Sequence, residues 1–325
     1  MEEDGNLAFV PRKLRVEYPG AIYHVISRGN GQQDVFRGDA DRQDFIKTLA
    51  ETCEKTGFRV HAYCLMRNHF HLVAETPNAN LVAGMKWFLS TYTIRFNHRH
   101  KRIGHVFSGR YKALIVDGSG NGYLRMVCDY VHLNPVRARL LKPEQRLLEY
   151  PWSSFDGYLA AEAHRPEWLR VDRLLGEHGI HEDTAAGRRQ FERRMEARRT
   201  EDAEGAEERL IRRGWCLGPP DFKARLLEQM EGRLGEYHSG ELRRESAEAK
   251  AERIIREDLT RLRWTEADLT QRAKNDPAKL AMAARVRQET TLTIRWIAGR
   301  LHLGSWKSLN ANLHRWKGIS ENDRK

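Results

Sequence analysis

Residues 58–75, FRVHAYCLMRNHFHLVAE, decide how the fold is read. The run 58–66 alternates apolar and polar positions, and NHFHLVAE (68–75) does so again after Arg67, which predicts the two arms of a hairpin. Upstream, AIYHVIS (21–27) alternates in the same way. Between these strands, DADRQDFIKTLAETCEKTG spaces Phe45, Ile46, Leu49 and Cys53 at helical intervals, with Gly57 as the expected stop. Downstream, LVAGMKWFLSTYTIRFNHRH reads as a second helix and HVFSGRYKALIVD as a strand-like run. GYLRMVCDYVHLN reads as a third helix ending at Pro135. The expected fold class is therefore α+β, a ferredoxin-like antiparallel sheet with helices packed on it.

The whole chain has 325 residues, too many for one ordinary compact domain. From Ala160 to Asp276 it is rich in Glu, Arg and Ala, and it is expected to form solvated helices and a joint. From Pro277 the apolar spacing tightens into three short helices broken at Gly304, with Ser305 as an N-cap, the pattern of a helix-turn-helix. The division expected is 12–160, 161–276 and 277–320. Four widely separated cysteines contain no CxxC pair, which argues against a zinc or redox motif and suits thiols buried in a reducing compartment. No run is long and apolar enough for a membrane span, and the opening MEEDGN is unlike a secretory signal, so no membrane partner is expected.

The hairpin also carries the first candidate chemistry. In a strand His69 and His71 share a face while Phe70 points to the other, so two imidazoles can reach one metal ion. A second HxH, His98 to His100, falls at the end of a predicted helix, where positions two apart diverge. On the third helix Tyr130 and Asn134 are one turn apart, which places a phenol and an amide oxygen on one face. Tyr123 has Val127 at the same offset, so Tyr130 is the better nucleophile.

Charge points to a polyanionic partner. The formal net charge is +11, and from Thr76 to Val116 there is no Asp or Glu. That stretch holds Lys86, Arg95, Arg99, Lys101, Arg102, Arg110 and Lys112. Tyr111 is the aromatic most open to base stacking. Arg28, Asn30, Arg67 and Asn68 join the expected DNA-binding set. In the terminal helices Lys307, Asn310 and Arg315 are the residues expected to meet duplex DNA. A helical dimerisation or regulatory bundle with Trp296, Trp306 and Trp316 in its core is the competing reading of that region.

Taken together, YPGAIYHVISRGN, LMRNHFHLVAETP, GRYKALIVD and YLRMVCDYVHLNPVRARL followed by YPWSSFDGY resemble the REP-associated tyrosine transposases. These are single-tyrosine HUH endonucleases of the IS200-like kind. The resemblance covers about residues 12 to 160 and leaves the tail from Ala160 outside it. It implies a divalent ion, normally Mg2+ with Mn2+ equally suited, held by His69, His71 and Asn134, with Tyr130 as nucleophile. It implies attack on single-stranded DNA beside a REP-type hairpin, a 5′-phosphotyrosine and a free 3′-OH. A cytoplasmic, nucleoid-associated bacterial protein is expected, acting as a DNA transposase or endonuclease. The alternative is a host-retained regulatory or architectural DNA-binding protein without catalysis. No oligomeric state follows from the residues.

Overall fold

The computed structural model describes residues 15–201, 210–211, 214–234 and 239–322, without the side chains of 200, 201, 230–234, 239–246 and 316–322. The expected domain start at residue 12, the run 202–209 and the side chains of Trp316 and Lys317 lie outside this description.

Four strands and two helices alternate as anticipated: β1 (Ala21–Arg28), α1 (Asp39–Thr56), β2 (Arg59–Met66), β3 (His69–Thr76), α2 (Leu81–Arg99) and β4 (Lys112–Val116). The spatial order β2-β3-β1-β4, antiparallel throughout, is the ferredoxin-like arrangement. Gly57 ends α1 in the left-handed region at φ 75°, where its N–H closes on the Cys53 carbonyl. Only Lys112–Val116 of the expected run 105–117 is strand. Phe107 instead forms an isolated bridge to Gly29, and the Asn30 N–H donates to the Val106 carbonyl at 2.9 Å, folding the loop against the end of β1.

The sheet has a fifth strand that the sequence pattern did not suggest. β5 (Cys216–Leu217) pairs parallel to β4, so the sheet is mixed.

Pairing assigns the side chains to two faces. Ile26 lies opposite His71, Arg28 opposite His69 and His24 opposite Leu114, which puts His24, His69 and His71 on one face. Phe70 and Leu72 are on the other, where α1 and α2 cover them with Phe45, Phe88 and Tyr92. The histidine face is covered by α3 (Tyr123–His132), which packs on β2, β3 and β4. The expected third helix is broken one residue before its predicted end. Leu133 separates α3 from α4 (Asn134–Arg137), and Pro135 stands in the first turn of α4, where its missing N–H costs nothing.

Packing does not stop at residue 160. Beyond α5 (Phe155–Leu159) come α6 (Asp172–Glu177) and α7 (Ala185–Glu201). Leu169, Leu174, Leu175, Phe191, Met195, Leu217 and Leu226 are all buried in the same core as the sheet. The stretch read as solvated helices and a joint thus contributes a second layer over α3. Its charged residues mask the few apolar positions that do the packing.

A separate core runs from Ala251 to Leu313. It is built by α9 (Ser239–Leu262), α10 (Glu266–Gln271), α11 (Pro277–Glu289), α12 (Ile294–Arg300) and α13 (Trp306–Asn322), with α8 (Pro220–Leu234) preceding them. The turn between α12 and α13 uses Gly304 at φ 79°, and the Ser305 hydroxyl accepts from the Ser308 N–H at 3.1 Å, capping α13 as expected. Thus the second packed unit begins near residue 250, not at 277. It touches α1, where Lys55 Nζ donates to the Arg287 carbonyl at 2.6 Å.

Candidate active site

His69 and His71 project from β3 with ring centroids 5.2 Å apart. His71 is buried, while His69 is half-buried at the strand end. Tyr130, 3% exposed, sets its ring edge-on to His71 at 5.6 Å and to His24 at 5.9 Å. The Asn134 amide nitrogen donates to the Tyr130 carbonyl at 2.9 Å, which leaves its oxygen as the end available to a cation. The one-turn relation between Tyr130 and Asn134 therefore survives the helix break. The structure sets the Tyr130 ring against His71 with His69 beside it, and Asn134 is tied to the Tyr130 backbone carbonyl one turn on.

Each motif histidine has a partner on Nδ1. His69 Nδ1 lies 2.8 Å from the Asn68 side-chain oxygen, an acceptor, so His69 donates there. His71 Nδ1 lies 3.0 Å from His24 Nε2. His24 is fully buried, and burial pushes its pKa down to about 3, so the ring is neutral. Two imidazoles with Nδ1 engaged and an amide oxygen are a donor set that a divalent ion accepts. Among the described residues no group of three or more His, Cys, Asp or Glu could hold a metal, so the two histidines would have to be joined by oxygen donors of another kind.

Sequence reasoning missed the roles of five groups around Tyr130. His24 is hidden in an apolar strand, and only the β1–β3 register, which sets it opposite Val73, puts it on the face of His71, 3.0 Å from its Nδ1. The Arg137 guanidinium lies 4.5 Å from the centre of the Tyr130 ring and donates to its carbonyl at 3.3 Å. Asp129, fully buried beside Tyr130 on α3, accepts from His178 Nε2 at 2.9 Å and from Arg198 on α7. Those two partners lie 49 and 69 residues away in a charged segment, so nothing local in the sequence marked them.

The expected DNA-binding residues divide. Arg28, Asn30, Lys101, Arg110 and Lys112 are exposed, and Arg28 is paired directly with His69. Arg67 and Asp34 form an exposed ion pair at 3.2 Å, Arg102 donates to Gln33 at 2.7 Å, and Lys86 is exposed on α2. Arg95 and Arg99 are engaged with α1: Arg95 with Glu51 at 2.9 Å, Arg99 with Asp41 at 2.9 Å and Asp44 at 3.1 Å. The stretch free of acids in sequence is thus partly neutralised by a neighbouring helix. His100 of the second HxH also binds Asp41, at 2.9 Å. Tyr111 is half-buried beneath the Arg15 guanidinium, 3.4 Å from its ring centre, so one ring face is already covered.

In the terminal helices Lys307 and Arg315 are exposed, whereas the Asn310 oxygen accepts from Arg287 at 3.3 Å. Trp306 is 45% exposed and Trp296 half-buried, so Trp306 is no core residue of a helical bundle.

Residues 17–134 match the family model described as Transposase IS200 like. This segment is similar to the IS200-like transposases. The match takes in His69, His71 and Tyr130 and ends on Asn134. A solved structure of a REP-associated tyrosine transposase bound to a REP hairpin is similar over 50% of this chain and 92% of its own, at 15% identity and a TM-score of 0.39. No curated protein matches the chain. No helix among the described residues is long and apolar enough to cross a membrane.

Proposed function

We propose that the protein is a metal-dependent single-stranded DNA endonuclease and strand transferase acting at or near REP-type hairpins, with Tyr130 as its nucleophile. The observation that carries this reading is the Tyr130 ring set against His71 of the HxH pair, within a segment that matches the IS200-like transposase model.

The Tyr130 oxygen attacks phosphorus, the P–O3′ bond breaks, and the 3′ oxygen leaves as a free hydroxyl. The phosphate stays on the 5′ side, esterified to Tyr130, so its bond energy is kept for religation or transfer. Held by His69, His71 and Asn134, a divalent cation such as Mg2+ or Mn2+ would neutralise phosphate charge and favour the phenolate. Arg137 supplies a further positive charge at the Tyr130 ring. Arg28, Asn30, Arg110 and Lys112, at the His69 end of the sheet and the loop folded beside it, are where the DNA backbone is expected to lie. The α12–α13 pair adds a duplex contact through Lys307 and Arg315.

The test is a labelled single-stranded oligonucleotide series covering hairpins from the flanks of the protein's own gene, with Mg2+ or Mn2+ and with chelator. A covalent adduct on a denaturing gel is expected, lost with chelator and lost in Tyr130→Phe, whose hairpin affinity stays near that of the parent. An adduct that persists in Tyr130→Phe would show that another tyrosine is the nucleophile. Tight hairpin binding without any adduct would support the regulatory or architectural reading.

A further inference from the structure

Resting on the metal-dependent reading above, we propose that His24 is a positioning residue for His71. It accepts the Nδ1 proton of His71 and thereby keeps the lone pair of that ring on Nε2, beside His69 and Tyr130. The two rings are 3.0 Å apart at nitrogen, nearly parallel at 18°, and both buried.

A neutral imidazole has one N–H and one lone pair, so the shared axis between His24 Nε2 and His71 Nδ1 carries a single proton. With that proton on His24, His71 holds its own on Nε2 and has no lone pair left for a cation. With it on His71, Nε2 carries the lone pair that ligation requires. His24 thus does for His71 what the Asn68 oxygen does for His69, and the two ligands of the motif are oriented by partners from different elements.

Packing alone does not call for histidine here. In this arrangement His24 carries its proton on Nδ1, which is buried and without a hydrogen-bond partner among the described residues. Phenylalanine would fill the same space without an orphaned polar atom. A group kept in the core at that cost is expected where a neighbour depends on its other nitrogen.

The experiment compares the parent full-length chain with His24→Phe, His24→Gln and His71→Ala. Mn2+ affinity is read from the EPR signal of free Mn2+, and the His71 tautomer from long-range 1H–15N couplings in the metal-free protein. The parent should show His71 protonated on Nδ1 and should bind Mn2+ in a His71-dependent way. His24→Phe should bind Mn2+ about 10- to 100-fold more weakly while still unfolding cooperatively. His24→Gln, which can place an amide oxygen where Nε2 was, should recover most of the affinity. His24→Asn, polar but too short to reach His71, replaces the Phe variant if that one does not fold, and should bind as weakly. Undiminished Mn2+ affinity in both short and apolar variants, or a parent His71 protonated on Nε2, would overturn the positioning role and leave the cleavage reading standing. Equal Mn2+ binding by the parent and His71→Ala would instead overturn the metal site, and this proposal with it.

Discussion

On one face of the sheet Phe70 meets Phe45 at 4.8 Å and Phe107 at 5.9 Å; on the other His71 meets His24 at 5.2 Å and Tyr130 at 5.6 Å. The first is an aromatic core whose rings touch edge-on and tilted, an arrangement that stabilises through buried area and ring geometry. The second buries His24, His71, Asp129, His132 and Asn134, each of which has to be hydrogen-bonded or orphaned. One face holds the fold together, and the other holds reactive groups that the fold must support. The alternation of a single strand, His69-Phe70-His71, delivers one residue type to each.

The comparison breaks most severely where the histidine face loses its cover. Ending the chain at residue 160 removes α6, α7 and β5, and with them Leu174, Leu175, Phe191, Met195 and Leu217 from the shared core. Such a fragment is expected to show no cooperative unfolding by calorimetry, whereas a chain ending at residue 234 keeps that core whole and should unfold cooperatively and still form adduct. A soluble, cleaving fragment ending at 160 would show that α3 does not need its outer layer.

Single substitutions should separate the faces by kind of effect. Phe45→Ala, which vacates a ring in contact with Phe36, Phe70, Phe88 and Tyr92, is expected to cost about 3–5 kcal/mol with the adduct chemistry intact at low temperature. Arg198→Ala leaves the buried Asp129 carboxylate with His178 alone and should cost about 3 kcal/mol. Because Asp129 adjoins Tyr130 on α3, this second variant should also slow adduct formation under conditions where it is fully folded. Denaturant melts paired with single-turnover assays read both quantities, and equal slowing in Phe45→Ala would erase the distinction.

Acid should act on the histidine face through Glu75. Hydrogen bonding from His61, at 3.1 Å, and the Arg170 and Arg173 guanidiniums hold its carboxyl down at about 2 from an ordinary 4.5. A carboxyl depressed in the folded state stabilises above its unfolded pKa, and that stability is lost as the pH falls from about 4.5 through about 2. Glu75→Gln is expected to flatten the stability profile across that window. An unchanged slope would mean that other carboxylates dominate acid unfolding.

The order of elements, the HxH face and the Tyr130–Asn134 spacing were legible because each is a local periodicity, of two in a strand and nearly four in a helix. What stayed hidden depends on register or on distant partners. His24 looks like any polar residue in AIYHVISR until β1 is paired with β3. Asp129 looks like a surface charge until α6 and α7 close over it. Charge density misled in both directions. It made residues 161–226 look solvated although they bury Phe191 and Met195, and it made Arg95 and Arg99 look free although α1 neutralises them.

The smallest expected effect tests which cations of the terminal unit reach DNA. Counting Lys and Arg from Pro277 onward gives Lys279 the same standing as Lys307, but the two are built differently. Lys279 is fully buried, and its Nζ donates to the carbonyls of Leu269 at 2.8 Å, His302 at 3.2 Å and Arg272 at 3.4 Å, tying α10 to the turn after α12. Arg285 and Arg300 are likewise committed, to Glu257, Asp258 and Glu289 and to Glu252 and Glu266. Lys307 and Arg315, exposed on α13, are open to phosphate. Replacing both by Ala should therefore lower the salt slope of duplex binding by about two, one per cation removed, without altering single-strand cleavage. Lys279→Met should instead leave the slope unchanged and lower the unfolding midpoint of the terminal unit, because three carbonyls lose their donor. A slope that responds to Lys279 as it does to Lys307 would mean that buried charge reaches the DNA by another route, and an unmoved slope in the double variant would return the α12–α13 pair to a protein-binding or regulatory role.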